Sequence, residues 1–245
     1  MTNTNHFNRE DSFTFERVLF FGRTLKEYKD MFNLDLSLLK GKQILDCPSG
    51  PASFIAEANA QNINAMGIDP VYENSYSKIQ EIILTDLNDC CNLQEQLPHL
   101  AKIKRDMVNY RAEKEKAISI FLNDYELGLK QSRYLPYKLP NLPFKDNQFD
   151  LVLSSNFLFL YSDYKYGGMH LASNFDLAFH QKAIIELIRV SHHEVRIFPL
   201  KGPHCNEHEF LQPILNSLEA VKINFLNTNY ADLFGANDVL QILKS

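Results

Sequence analysis

The chain has 245 residues, 45% of them hydrophobic, and a formal charge of −5. That length suits one α/β domain with a substantial core, and the negative charge argues against a nonspecific nucleic-acid surface. No run of about 18 apolar residues occurs, so no transmembrane helix and no membrane partner is expected.

The amino terminus, Met1-Thr-Asn-Thr-Asn-His-Phe-Asn-Arg9, is polar and lacks the apolar core of a secretory signal. The four cysteines, Cys47, Cys90, Cys91 and Cys205, show no disulfide framework. A reduced, cytoplasmic protein is the expectation.

A helical pattern runs from about Thr24 to Leu39, with Leu25, Tyr28, Phe32 and Leu34 near one side. Next comes a short apolar strand ending at Asp46, a tight turn, a helix from Ser53 and a second strand ending at Asp69. In a doubly wound sheet, ligands sit beyond the carboxyl ends of the strands, where the chain turns into a helix. Gly50, Ala52 and Ser53 are small enough for close approach to the backbone. Asp69, nineteen residues after Gly50, is placed to accept both ribose hydroxyls of a nucleotide-type cofactor.

Some seventy residues separate Asp69 from the Leu142-Pro-Phe144 turn, more than a short helix and a third strand require. Ile103, Met107, Tyr110, Ala117, Phe121, Tyr125 and Leu129 recur at helical steps, and their apolar side is expected to pack on the domain. The intervening Lys102, Lys104, Arg105, Arg111, Lys114 and Lys116 read as a solvated face. Such an insertion can roof a cofactor or shape a substrate chamber. Gln131 to Tyr137 is expected to supply the third strand, with Lys138 and Leu139 just beyond its end.

The fourth strand begins at Phe149-Asp150 and ends at Ser154-Ser155-Asn156. An aromatic segment from Phe157 follows, closing in Gly167-Gly168, a pair that would let a loop move. The remaining elements are a helix from Asp176 to Ser191, a strand over 194–198, a helix over 209–220 and strands over 221–225 and 238–243. With no internal repeat, one domain over 1–245 is the economical division. Within it, 1–40 forms an amino-terminal helical lid region and 87–133 a helical insertion.

Asp46, Gly50 and Ala52, with Asp69 and the Leu-Pro-Phe and Phe149-Asp150 strand downstream, resemble the class I S-adenosylmethionine-dependent methyltransferases. The departure is Pro48, where the first glycine of the family turn usually stands; proline fixes φ and removes a donor. The resemblance implies an α/β, three-layer, Rossmann-like doubly wound sheet, mostly parallel with an antiparallel last strand. It implies S-adenosylmethionine as cofactor, held by Asp46, Cys47, Pro48, Gly50, Asp69, Pro70, Leu139, Ser154, Ser155, Asn156 and Arg23. A dinucleotide fingerprint would need Gly-x-Gly-x-x-Gly to seat a pyrophosphate, and acids beside the turn would repel one.

The implied reaction is in-line transfer of a methyl group to an O, N or C atom of a small molecule. Alignment can supply most of the rate, with a base needed only if the acceptor must lose a proton. His170, His180, Tyr161 and Asp163 lie near the acceptor side, but none is assigned a catalytic role. Asn156-Phe-Leu-Phe departs from the Asn-Pro-Pro-Tyr of enzymes that methylate planar amino groups, which disfavours that substrate class. His204, Cys205 and His208 match no zinc spacing, and no metal is expected. The alternative is a non-catalytic domain that binds the cofactor or a relative of it as a sensor or partner module. The sequence does not set the oligomeric state.

Overall fold

The computed structural model describes residues 12–244; the polar stretch over 1–9 lies outside them. Thr24 opens α1 (Leu25–Phe32) through a reciprocal capping box with Glu27, and Asn33 closes it in the left-handed region. The predicted helix to Leu39 therefore stops early and resumes only as a 3-10 turn over Leu36–Leu39. Then follow β1 (Gln43–Asp46), α2 (Phe54–Asn59) and β2 (Asn64–Ile68).

Two long helices fill the interval before the third strand: α3 (Tyr76–Gln96), capped by Ser75, and α4 (Met107–Lys130), capped by Asp106. The boundary expected at residue 87 thus falls inside α3. The chain continues through β3 (Tyr134–Leu135), β4 (Phe149–Ser155), α5 (Leu177–Val190), β5 (Ser191–Phe198), α6 (Leu211–Ser217), β6 (Val221–Asn227) and β7 (Asp238–Lys244).

The seven strands form one sheet in the order β3-β2-β1-β4-β5-β7-β6. β1 through β5 pair in parallel, while β7 runs antiparallel between β5 and β6. This is the Rossmann-like doubly wound sheet, mostly parallel with an antiparallel last strand, that the resemblance implied. Strand alternation sends Ile44, Ala65 and Leu153 to the face covered by α1 to α4, and Leu45, Ile68 and Val152 to the face covered by α5 and α6.

Strand order reverses between β1 and β4, so the crevice beyond their carboxyl ends is where this topology binds ligands. A smaller third core roofs that crevice, joining Phe13, Phe15, Leu19, Cys90, Leu160, Tyr161, Met169 and Phe234. It rests on an extended strap, residues 12–23. The expected helical lid is helical only from Leu25, because the strap bonds outward: Phe15 exchanges backbone bonds with Met169 and Leu171, and Phe20 donates to Asp86 at 2.6 Å.

Candidate functional site

The turn after β1 has spent its donors. Cys47 N–H goes to the Leu153 carbonyl, Ser49 N–H to the Ile68 carbonyl and Gly50 N–H to Asp69 Oδ2 at 3.2 Å, while Pro48 and Pro51 have none. A phosphate cradle needs free backbone N–H groups converging on the ligand. Every position from 47 to 51 is either without a donor or already engaged. Gly50 sits at φ +58°, which favours glycine there. Gly67 in β2 lets the turn lie on the sheet, since a Cβ would come within 2.7 Å of Ser49 Oγ.

Two cavities flank this turn. The first, about 810 Å³ with its mouth, is lined by Arg23, Pro48, Gly50, Ser155 and Asn156 together with the strap, α3 and α4. The second, about 660 Å³, is lined by Cys47, Pro48, Asp69, Pro70, Val71 and Leu139 and is the more apolar. Val18, Leu19, Pro48 and Phe157 border both, so the strap and the turn form the partition between them.

Asp69 lines the second cavity, and its two oxygens accept N–H groups from Val71 (2.9 Å) and Gly50. Burial raises its pKa to about 6 against those bonds. Tyr72 ties the far side of the turn down by donating to the Gly50 carbonyl at 2.6 Å.

Asp46 and Ser154 border neither cavity. Asp46 lies fully buried beneath the turn, where Tyr28 donates to its Oδ2 at 2.7 Å and Oδ1 has no partner. Burial drives its pKa to about 7, with the bond from Tyr28 opposing. Because the Tyr28 proton points at Asp46, Ser155 Oγ donates to Tyr28 at 3.2 Å. A relay of Ser155, Tyr28 and Asp46 thus joins the ends of β4 and β1 beneath the site. Asn156, in the left-handed region at φ 52°, turns the chain from β4 into the wall of the first cavity.

Arg23 reaches the first cavity from the end of the strap, with Nε unbonded. Its placement depends on Gly22, where a Cβ would lie 2.5 Å from the Pro51 carbonyl oxygen. Behind it, Lys114 forms a buried ion pair with Glu27. Lys114 therefore departs from the solvated face expected for its charge run: it projects from α4 to Glu27 of α1 and is 1% exposed. Burial lowers Lys114 to about 8 despite Glu27. Burial also opposes ionised Glu27, but Lys114 and Arg23 outweigh it and hold that carboxyl below its ordinary range.

The histidines near the acceptor side are engaged away from both cavities. His170 Nδ1 bonds the Leu171 carbonyl at 2.9 Å, and His180 Nδ1 bonds the Asp176 carbonyl at 2.8 Å between aromatic neighbours. Asp163 caps a 3-10 turn over Tyr164–Tyr166. Ser162 Oγ lies 2.7 Å from His208 Nε2, yet His208 Nδ1 accepts the Phe210 N–H and Ser162 donates to the Phe159 carbonyl. His208 is therefore a neutral donor to Ser162, its pKa lowered by burial to about 4. This is a structural lock without an activated nucleophile. Gly167 and Gly168 are packing positions: a Cβ on Gly168 would meet the Ser162 carbonyl oxygen at 2.0 Å.

Of the expected acceptor-side residues, Tyr161 lines the first cavity. Residues that sequence reading did not place there complete it: Cys90 and Gln94 from α3, and Tyr230 and Asp232 from the loop before β7. Nothing local marks that loop, since it reaches the site only through the sheet's strand order.

No protein-family model matches the chain. Among solved structures, magnesium protoporphyrin IX methyltransferase from Synechocystis PCC 6803, with SAM bound, is 12% identical; the match covers 90% of this chain and 81% of that one, with a TM-score of 0.48. A SAM-dependent methyltransferase from Aquifex aeolicus is 15% identical over 89% of this chain and 95% of that one, with a TM-score of 0.39. A sequence relative carries more weight: uncharacterized protein MJ0045 of Methanocaldococcus jannaschii is 31% identical over 227 residues, 90% of this chain and 94% of its own length. The chain belongs to the same protein family as that Methanocaldococcus jannaschii protein.

Proposed function

We propose that the protein is an S-adenosylmethionine-dependent methyltransferase acting on a small molecule. The observation that carries this reading is the pair of cavities meeting at Pro48, one holding the acid Asp69 and the other the guanidinium Arg23. A nucleoside with a zwitterionic amino-acid tail fits that division of charge. A pyrophosphate does not, because the turn's donors are spent and two carboxyl groups lie beside it.

In this reading Asp69 accepts the ribose hydroxyls, and Pro70, Val71 and Leu139 sandwich the base in the apolar cavity. Arg23 binds the carboxylate, while Ser155 and Asn156 face the amino-acid tail. Asp46 acts from below, holding Tyr28 and Ser155 in place. When bound, the cofactor supplies a methyl group already activated by its sulfonium. The chain's own task is to align the acceptor and exclude water, which the strap and its roof of aromatic side chains perform.

The space in the first cavity beyond Arg23 and Asn156 gives an acceptor a place and favours catalysis over a purely binding role. Calorimetry with S-adenosylmethionine and S-adenosylhomocysteine tests the cofactor; binding of neither overturns the proposal. Transfer of labelled methyl into pooled small metabolites, abolished by Asp69→Ala, tests the reaction. Tight cofactor binding without transfer to any small molecule would leave only the binding module standing.

A further inference from the structure

Beyond the residues assigned to the cofactor, the first cavity carries a second cationic point. Arg105, just before α4, lines it together with Tyr110, Tyr230 and Asp232. Its guanidinium is anchored by a bond from Nη2 to the Ala231 carbonyl at 3.1 Å and lies 5.0 Å from the centre of the Tyr110 ring. Like Arg23, it makes no ion pair with a carboxylate among the described residues. Glu27 is committed to Lys114, and Asp232 Oδ1 accepts the N–H groups of Phe234 and Ala236. Arg105 also borders an outer depression containing Asp106 and Glu113, so it stands in the wall between chamber and surface.

Phe13, Leu160, Met169 and Phe234 give that chamber an apolar side, on which Gln94 and Tyr161 are the polar points. Gln94 is 6% exposed; its Nε2 faces the Cys90 carbonyl and thiol at 3.4 and 3.3 Å, and its Oε1 has no partner. The Tyr161 hydroxyl accepts the Leu19 N–H at 3.1 Å, which leaves its own proton to donate. Phe13 and Phe234 pack edge to face across the roof, 5.2 Å apart. A guanidinium without a salt-bridge partner in a space bordered by aromatic rings calls for an anion on an apolar body.

Building on the methyltransferase reading, we propose that the methyl acceptor is a small aromatic carboxylic acid whose carboxylate is bound by Arg105 and whose ring lies under Phe13 and Phe234. Arg23 is taken by the cofactor's own carboxylate, so Arg105 is the guanidinium left for the acceptor, and the Asp232 carboxyl in the same lining disfavours a phosphate dianion there. Gln94 Oε1 accepts a donor carried by the ring, such as a hydroxyl or amino group.

The test uses the protein saturated with S-adenosylhomocysteine and measures, by ligand-observed NMR titration, the binding of benzoate, 4-hydroxybenzoate and indole-3-acetate against their neutral amides. The carboxylates should bind at least tenfold more tightly than the amides. Arg105→Gln should remove that preference and leave S-adenosylhomocysteine affinity within about twofold, and Arg105→Lys should retain part of it. Equal affinity for acids and amides, no binding of any acid, or an undiminished preference in folded Arg105→Gln would each overturn the proposal. If Arg105→Gln does not fold, the acid-against-amide comparison in the wild-type protein decides alone. Absence of S-adenosylhomocysteine binding in the wild-type protein overturns the cofactor reading, and this proposal with it.

Discussion

Asp69 carries the clearest pH signature in the site. Burial raises its pKa from 3.8 to about 6 in the ligand-free protein, whereas ribose hydroxyls and a cationic ligand both favour the carboxylate. Cofactor binding should therefore release a proton below about pH 6, and affinity should rise as pH climbs from 5 to 7, approaching tenfold per unit at the acid end. Calorimetry across that range checks it; Asp69→Asn should flatten the lower part of the profile and leave the contribution of Asp46 near 7. A flat wild-type profile would count against the assigned role. For stability the sign is opposite. A buried acid with a raised pKa stabilises the ligand-free fold most below its unfolded value of about 4, and that contribution is lost as pH rises to about 6 for Asp69 and 7 for Asp46. Arg23 gives a second test at the same scale. Removing a charge-assisted bond costs about 1.5–3 kcal/mol, so Arg23→Ala should weaken S-adenosylhomocysteine binding by roughly 10- to 150-fold. Binding of methylthioadenosine, which lacks the aminocarboxylate, should be unchanged; equal losses for both ligands would remove Arg23 from the carboxylate site.

Between elements, the Glu27–Lys114 pair fastens α4 to α1 directly behind Arg23. Deleting one member of a buried pair leaves an uncompensated charge and costs about 3–5 kcal/mol, whereas replacing both with apolar residues of similar size is often neutral. Lys114→Met should lower the unfolding free energy by about that amount, and Glu27→Leu combined with Lys114→Met should restore most of it. Denaturant titration of the three variants checks this, and a double variant as unstable as the single would refute it. The pair also marks where sequence reading stops. Helical spacing correctly buries Ala117, Phe121 and Tyr125, but periodicity cannot show that Lys114 meets a carboxylate 87 residues earlier. Gly128 was equally silent. Its missing Cβ, which would lie 2.3 Å from the Tyr134 ring, lets α4 settle onto β3.

Across the whole molecule, the order of elements and the acids at the ends of β1 and β2 were legible because each is written locally, in strand-turn-helix patterns and residue spacing. The strap, the roof and the loop around Tyr230 and Asp232 were not, because they come together only when strand order brings distant segments over one crevice. That separation yields a prediction about linkage. A ligand spanning both cavities must pass the partition formed by the strap and the turn, so it ties the roof to the sheet. Held at 100 times its Kd, S-adenosylhomocysteine should stabilise the protein by about 2.7 kcal/mol. A domain of this size shifts its Tm by roughly 2–4 °C per kcal/mol, so thermal unfolding followed by circular dichroism should move up by about 5–11 °C. Adenosine, confined to the Asp69 cavity, should give a smaller shift at the same concentration, since it forgoes Arg23. NAD should give none, because its pyrophosphate would meet a turn without free donors beside Asp69 and Asp46. A shift from NAD equal to that from S-adenosylhomocysteine would overturn the phosphate-free reading of the turn, even if the fold and the cavities stand.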